Sequence, residues 1–142
     1  MKQPSVPFEV KPDVSSHFAW LRTQLGLQNT LMAAVRTSIS LIGFGFTVAQ
    51  FFEKLMANTP EGFQRLSPAA PRNFGLLLIA AGVISLLVFT WQYRAARAYL
   101  SSEPYKPIAG VAERPMGSST YLTAFAVILI GFAAFVSILL RF

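Results

Sequence analysis

Three long apolar runs divide the chain, at residues 30–52, 74–93 and 120–140, and the stretches between them are rich in proline, glycine and charge. Each run is about 20 residues long, which is what an α-helix needs to cross a hydrocarbon layer roughly 30 Å thick. The pattern predicts an all-α membrane protein with three transmembrane helices. Asn58, Pro60, Gly62, Pro68, Pro71 and Asn73 break the chain after the first run. Pro104, Pro107, Gly110, Pro115 and Gly117 break it after the second, and neither connection is long enough to be a domain.

Residues 1–15 carry Pro4, Pro7 and Pro12 among charged positions, show no periodicity, and read as a flexible arm. No secretory signal peptide is expected, because the first long apolar run starts near residue 30 and has no cleavage-site pattern behind it. Ser15 and Ser16 are good helix N-caps, and Phe18, Leu21 and Leu25 then recur at helical spacing beside Trp20. Residues 16–29 therefore read as a short N-terminal amphipathic helix lying at the membrane interface, with residues 30–142 forming the three-span membrane domain. A second reading makes residues 16–29 the lower end of the first spanning helix, since Gly26 permits either a bend or a straight run.

Composition supports the membrane class. The 142 residues are 54% hydrophobic and 13% charged, with a mean hydropathy of +0.50, whereas soluble domains are about 25% charged. A formal charge of +6 and a pI near 10.2 would point to nucleic acid in a soluble protein. In a membrane protein they point to basic flanks against anionic lipid headgroups, so lipid is the expected partner and nucleic acid is not. Seven basic residues fall in the arm, the stretch up to Arg22 and the second connection, against four in the first connection and the tail. Cytosolic segments are enriched in Lys and Arg, so the N-terminus is expected in the cytosol and the C-terminus outside. Trp91, Tyr93, Tyr99 and Tyr121 are placed like an aromatic belt.

The first span holds the one charge inside an apolar run, Arg36. Placing a guanidinium at mid-membrane costs about 2.5–3.5 kcal/mol by insertion scales, less where it can stretch to the headgroups. At about 100° per residue, Asn29, Ala33, Arg36, Ser40, Gly43, Thr47, Gln50 and Lys54 fall on one stripe about 100° wide. Every member is polar or small, and Met32 and Phe51 lie on its edges. Such a stripe can be a close helix contact, hydrogen-bonded glue between helices, or the wall of a wet cavity. Its seven-residue spacing also suits association with copies of the same chain. Arg22, on the same helix, and Arg94 and Arg97 are further candidate contacts for headgroups.

The remaining spans offer helix-packing signals. Ala81 and Ser85, with Gly82 beside them, form a small-xxx-small pair, and Gly131 with Ala134 is a similar feature; Gly43 supplies one in the first span. Catalysis is not expected. The chain has one histidine, His17, and no cysteine, and its six carboxylates all lie outside the spans with no spacing that suits acid and base partners or a metal cage. No glycine-rich phosphate loop is present, and no cofactor is expected.

The stretch Leu27-Gln28-Asn29-Thr30 through Arg36-Thr37-Ser38 to Leu41-Ile42-Gly43-Phe44-Gly45-Phe46 resembles the signature of the YidH-like family of three-span membrane proteins, domain of unknown function 202. Thr30, Arg36, Thr37, Ser38, Gly43 and Phe44 match that signature, and Tyr93-Arg94-Ala95-Ala96-Arg97-Ala98-Tyr99 resembles the family's basic stretch after the second span. Gln28 and Asn29 stand where the family usually has an acidic residue and an arginine. The same domain is similar to the membrane portion of vacuolar transporter chaperone proteins. The resemblance implies a bacterial inner-membrane location, and it implies that Arg36 faces an anionic solute or phosphate at the axis of a homo-oligomer.

Two functions follow as expectations. In one, copies of the first span surround a shared axis, and Arg36, Asn29, Ser40, Thr47 and Gln50 line a basic channel or pore for an anionic solute. In the other, the protein is a non-transporting scaffold or accessory subunit in which Arg36 and Arg22 hold anionic headgroups and the stripe meets an unknown membrane partner.

Overall fold

The computed structural model describes residues 9–57, 69–110 and 118–140. Residues 1–8 of the expected arm, Arg65 in the first connection, and Arg114 and Arg141 lie outside them. The described elements are α1 (Val14–Ala57), α2 (Ala69–Leu100), a 3-10 turn (Glu103–Tyr105), α3 (Lys106–Ala109) and α4 (Ser118–Leu140). Three of these helices are long and apolar enough to cross a membrane, as the apolar runs predict, and the chain is a multi-pass membrane protein.

Residues 16–29 are the first turns of α1 and not a separate helix. Asp13 caps α1, in place of Ser15 or Ser16. Its Oδ1 accepts the Val14 N–H at 2.7 Å, and its own N–H donates to Ser16 Oγ at 2.9 Å. The two bonds satisfy two backbone donors at the helix start, and Ser16 stands three positions after the cap. With 44 residues, α1 is about 66 Å long at 1.5 Å per residue, roughly twice the hydrocarbon thickness. α2 also exceeds its apolar run at both ends. It begins before Pro71, which sits in the first turn where its missing N–H removes no helix bond.

α1 and α2 run antiparallel in constant step. Trp20 meets Leu100 at one end, Ser38 meets Gly82 further along, and Gly45 meets Gly75 near the other. At the last of these the two backbones touch: a Cβ on Gly45 would lie 2.7 Å from the Gly75 carbonyl oxygen, and one on Gly75 would lie 2.6 Å from that of Gly45. α4 lies antiparallel to α2 and parallel to α1, with Tyr121 against Tyr93 and Gly131 against Val83 and Ile42. Leu31, Val35, Ile42, Ile79, Leu86, Ala124 and Val127 form the core between the three helices. Tyr93 belongs to that core and not to an outward belt, whereas Trp91 is exposed.

The extra length of α1 and α2 is used beyond the start of α4. His17 Nδ1 donates to the Ile108 carbonyl oxygen at 2.6 Å, and Trp20 Nε1 donates to that of Leu100 at 3.0 Å. Tyr99 and Tyr105 join hydroxyls at 2.7 Å across the same segment. The segment 101–110 is thus tied to the first turns of α1 on one side of the bundle.

Candidate functional site: the outer face of α1

Seven residues of α1 are buried against α2 and α4: Leu31, Ala34, Val35, Ser38, Ile42, Gly45 and Ala49. On a helical wheel they centre about 180° from the polar stripe. Asn29, Ala33, Arg36, Ser40, Gly43, Thr47 and Lys54 are exposed, and Gln50 is half-buried. Arg22, two turns before Asn29, continues the stripe and is exposed too. The candidate residues are therefore brought onto one continuous face, and that face is turned away from the chain's own helices.

Depth follows from the contacts with α4. Ile42 lies beside Gly131, two residues past the middle of α4, so Arg36 lies about 6 Å from that middle at 1.5 Å per residue. In a hydrocarbon layer roughly 30 Å thick centred on α4, its backbone is about 9 Å inside the nearer boundary. No Asp or Glu occurs from residue 14 to residue 52, nor anywhere in α2 or α4. No carboxylate of a spanning segment stands at the level of Arg36.

The hydroxyls of the stripe are satisfied within the helix. Ser40 donates to the Arg36 carbonyl at 3.1 Å and Thr47 to that of Gly43 at 2.8 Å, while Thr30 and Thr37 on the flank do the same to Gly26 and Ala33. Such back-bonding leaves the face smooth and free of hydroxyl donors in need of a partner. Arg36 is then the group with the greatest need of an anion or water.

Among the residues expected to pack helices, Gly131 is buried against Val83 and Ile42, Ser85 is half-buried, and Ala81 and Gly43 are exposed. A Cβ on Gly43 would meet open space. Close contacts within the chain belong to Gly131 and also to Gly45, Gly75 and Gly82, the last of which stands only beside the small-xxx-small pair in the sequence. The spacing of Gly45 and Ala49 on the side opposite Arg36 is the signal that locates them. His17 and Trp20 gain their structural roles from backbone carbonyls far along the chain, and nothing in their neighbourhood marks that. Ser38, of the Arg36-Thr37-Ser38 motif, is fully buried facing Gly82, and its Oγ has no hydrogen-bond partner. Among the described residues, no group of three or more His, Cys, Asp or Glu could hold a metal ion.

Residues 27–99 match the family described as "Domain of unknown function (DUF202)". No curated protein and no solved structure matches the chain. The matched segment contains the membrane part of α1, with Arg36, and nearly all of α2.

Proposed function

The chain belongs to the DUF202 family of membrane proteins, and from that premise we propose that it works as a homo-oligomer in which copies of α1 surround a common axis and Arg36 attracts an anion there. The observation that carries the reading is the opposition of the two faces of α1. One is consumed by α2 and α4, and the other, polar and small, bears Arg36 at a depth where lipid is a poor neighbour. Copies inserted in the same direction place their Arg36 residues at one level. Since no carboxylate of a spanning segment joins them, the balancing charge comes from a lipid or a solute. Rings of arginine are one means by which pores favour anions. In this reading the first turns of α1 and the segment 101–110 lie on the cytosolic side of a bacterial inner membrane and the end of α4 lies outside, an orientation that the bias of basic residues supports.

Anion flux into reconstituted vesicles tests this reading. The wild type should pass a small inorganic anion such as phosphate faster than empty vesicles do, and Arg36→Ala should remove that excess. Equal flux from the two proteins would end the role given to Arg36.

A second reading has its own support. In a helix each Cα–Cβ bond tilts toward the N-terminus, so the Arg36 side chain leans toward the nearer boundary and its headgroups. Together with the self-bonded hydroxyls, this suits a scaffold that holds an anionic lipid phosphate and passes nothing. Native mass spectrometry would then show anionic lipid retained on the wild type and lost from Arg36→Ala, with no flux from either.

A further inference from the structure

We infer that the seam between α2 and α4 holds one anionic phospholipid at the end where α4 begins, with its phosphate on Arg94 and Arg97 and an acyl chain along the seam. The site lies away from the outer face of α1. It goes beyond the common-axis reading and does not rest on it.

The place of Arg97 carries the argument. Ile79, Leu86 and Tyr93 recur at seven-residue steps and are buried on the side of α2 that meets the other spans. Arg97 stands four residues further, within about 40° of that row. The buried row of α2 therefore ends in an arginine. Its side chain is half-buried, and the guanidinium carbon lies 6.0 Å from the centre of the Tyr121 ring in the first turn of α4. Tyr93 meets the same ring at 5.3 Å. A guanidinium laid against an aromatic ring is held in direction but keeps its N–H donors for an anion.

Nothing acidic in the chain takes those donors. Among the described residues neither Arg94 nor Arg97 has a salt-bridge partner, and Glu103, in the turn after α2, is bound to Lys106. Arg94 and Arg97 are three apart on one helix, which makes them neighbours of like charge. Such a pair is unfavourable until an anion lies between its members.

Their depth selects the kind of anion. α4 runs from 118 to 140, so Tyr121 and the Tyr93 it touches lie about 12 Å from its middle at 1.5 Å per residue. Arg94 is about 1.5 Å further out and Arg97 about 6 Å, one on each side of the boundary of a hydrocarbon layer roughly 30 Å thick. Side chains on α2 tilt toward its N-terminus, back toward the membrane, so both guanidiniums stand at the level of lipid phosphates.

Below the arginines the seam is apolar and open. Val83, which packs on Gly131, shares a strip of α2 with Leu87 and Arg94, and Tyr121 shares a strip of α4 with Phe125 and Phe132, each strip within about 40°. Leu87 is 49% exposed, Phe125 61% and Phe132 62%. A phospholipid of net negative charge fits both parts. A free anion would use the arginines and leave the strips, and a zwitterionic lipid would add its own cation to a site that already has two.

Trp91, three residues before Arg94 and 71% exposed, is a built-in reporter. Trp20 lies about 15 Å outside the boundary, beyond the reach of acyl chains. The full chain is reconstituted in phosphatidylcholine vesicles containing a minor fraction of phosphatidylglycerol, and brominated acyl chains, which quench tryptophan on contact, are placed on one lipid or the other at equal mole fraction. Brominated phosphatidylglycerol should quench the wild type several-fold more than brominated phosphatidylcholine. Arg94→Gln with Arg97→Gln should bring the two lipids level, Tyr121→Leu should weaken the preference, and Arg36→Ala should leave it intact. Size-exclusion elution verifies each variant, and the two single glutamine variants carry the same comparison if the double variant does not elute intact. The inference is overturned by equal quenching of the wild type by the two lipids, by a preference that survives the glutamine variants, or by one that disappears in Arg36→Ala. Displacement of the lipid by inorganic phosphate beyond that by sodium chloride of equal ionic strength would also overturn it, since the arginines would then serve a free anion.

Discussion

The imidazole of His17 donates from Nδ1 to the carbonyl oxygen of Ile108 at 2.6 Å, a bond between residues 91 positions apart. The carbonyl can only accept, so the bond fixes the proton on Nδ1, and Trp20 stacks on the ring at 6.4 Å while holding Leu100 itself. Together they attach the segment after α2 to the first turns of α1.

His17→Ala is therefore expected to loosen residues 101–110 and to lower stability by about 1–2 kcal/mol, the cost of stranding a part-buried carbonyl. Hydrogen exchange in lipid nanodiscs would show the loss confined to residues 14–22 and 100–110. A change spread evenly over all three helices would argue against a local tie.

Where α1 and α2 touch at Gly45 and Gly75, any side chain meets backbone. Gly45→Val or Gly75→Val should destabilise by about 3 kcal/mol or more, because overpacking commonly costs 1–3 kcal/mol and here neither backbone can yield easily. Gly43→Ala, two residues away and facing open space, should change the unfolding midpoint in detergent little. Equal effects at positions 43 and 45 would mean that the two faces of α1 are assigned wrongly.

The buried Ser38 hydroxyl has no partner. Ser38→Ala should be neutral or stabilising by up to about 1 kcal/mol, since an unsatisfied buried polar group costs about 1–3 kcal/mol. Ser38→Leu should be severely destabilising, because the Ser38 backbone lies against Gly82. Thermal unfolding of the two variants separates these outcomes.

The hydrogen bond that the Tyr105 hydroxyl donates to Tyr99 raises the pKa of Tyr105 above its ordinary value of 10.0. A raised value favours the protonated form of the folded protein. Stability from this contact is thus complete below pH 10.0 and is lost as pH rises through the raised value. Absorbance titration near 295 nm should show one phenol ionising late, and Tyr99→Phe should return it toward the ordinary value.

Charge and hydrogen-bond shape can be separated at Arg36. Lysine keeps the charge but not the planar fork that grips a phosphate at two points. Arg36→Lys should reduce phosphate flux several-fold without abolishing it, in contrast to alanine. Identical flux from lysine and alanine would show that charge at this position is not what draws the anion.

The three spans were legible in the apolar runs because a hydrocarbon layer demands about 20 such residues whatever the rest of the protein does. The polar stripe was legible for a similar reason, since helical period alone gathers Asn29, Arg36, Gly43 and Gln50 on one side. Helix ends were not legible. Trp20 and Leu100 extend α1 and α2 by pairing with each other, and Asp13 displaces Ser15 as the cap through local hydrogen bonds. Which small residues touch was also hidden: Gly43 and Gly45 are equally small, and only the position of α2 decides that Gly45 is the contact.

The central claim is that the outer face of α1, with Arg36 on it, is covered by other copies of the chain. A spin label on Ser40→Cys in lipid nanodiscs tests it most directly. The account predicts a defined dipolar distance between labels on neighbouring copies and weak access of lipid-soluble oxygen to the label. An uncoupled label freely reached by oxygen, on protein that remains monomeric in the bilayer, would contradict it.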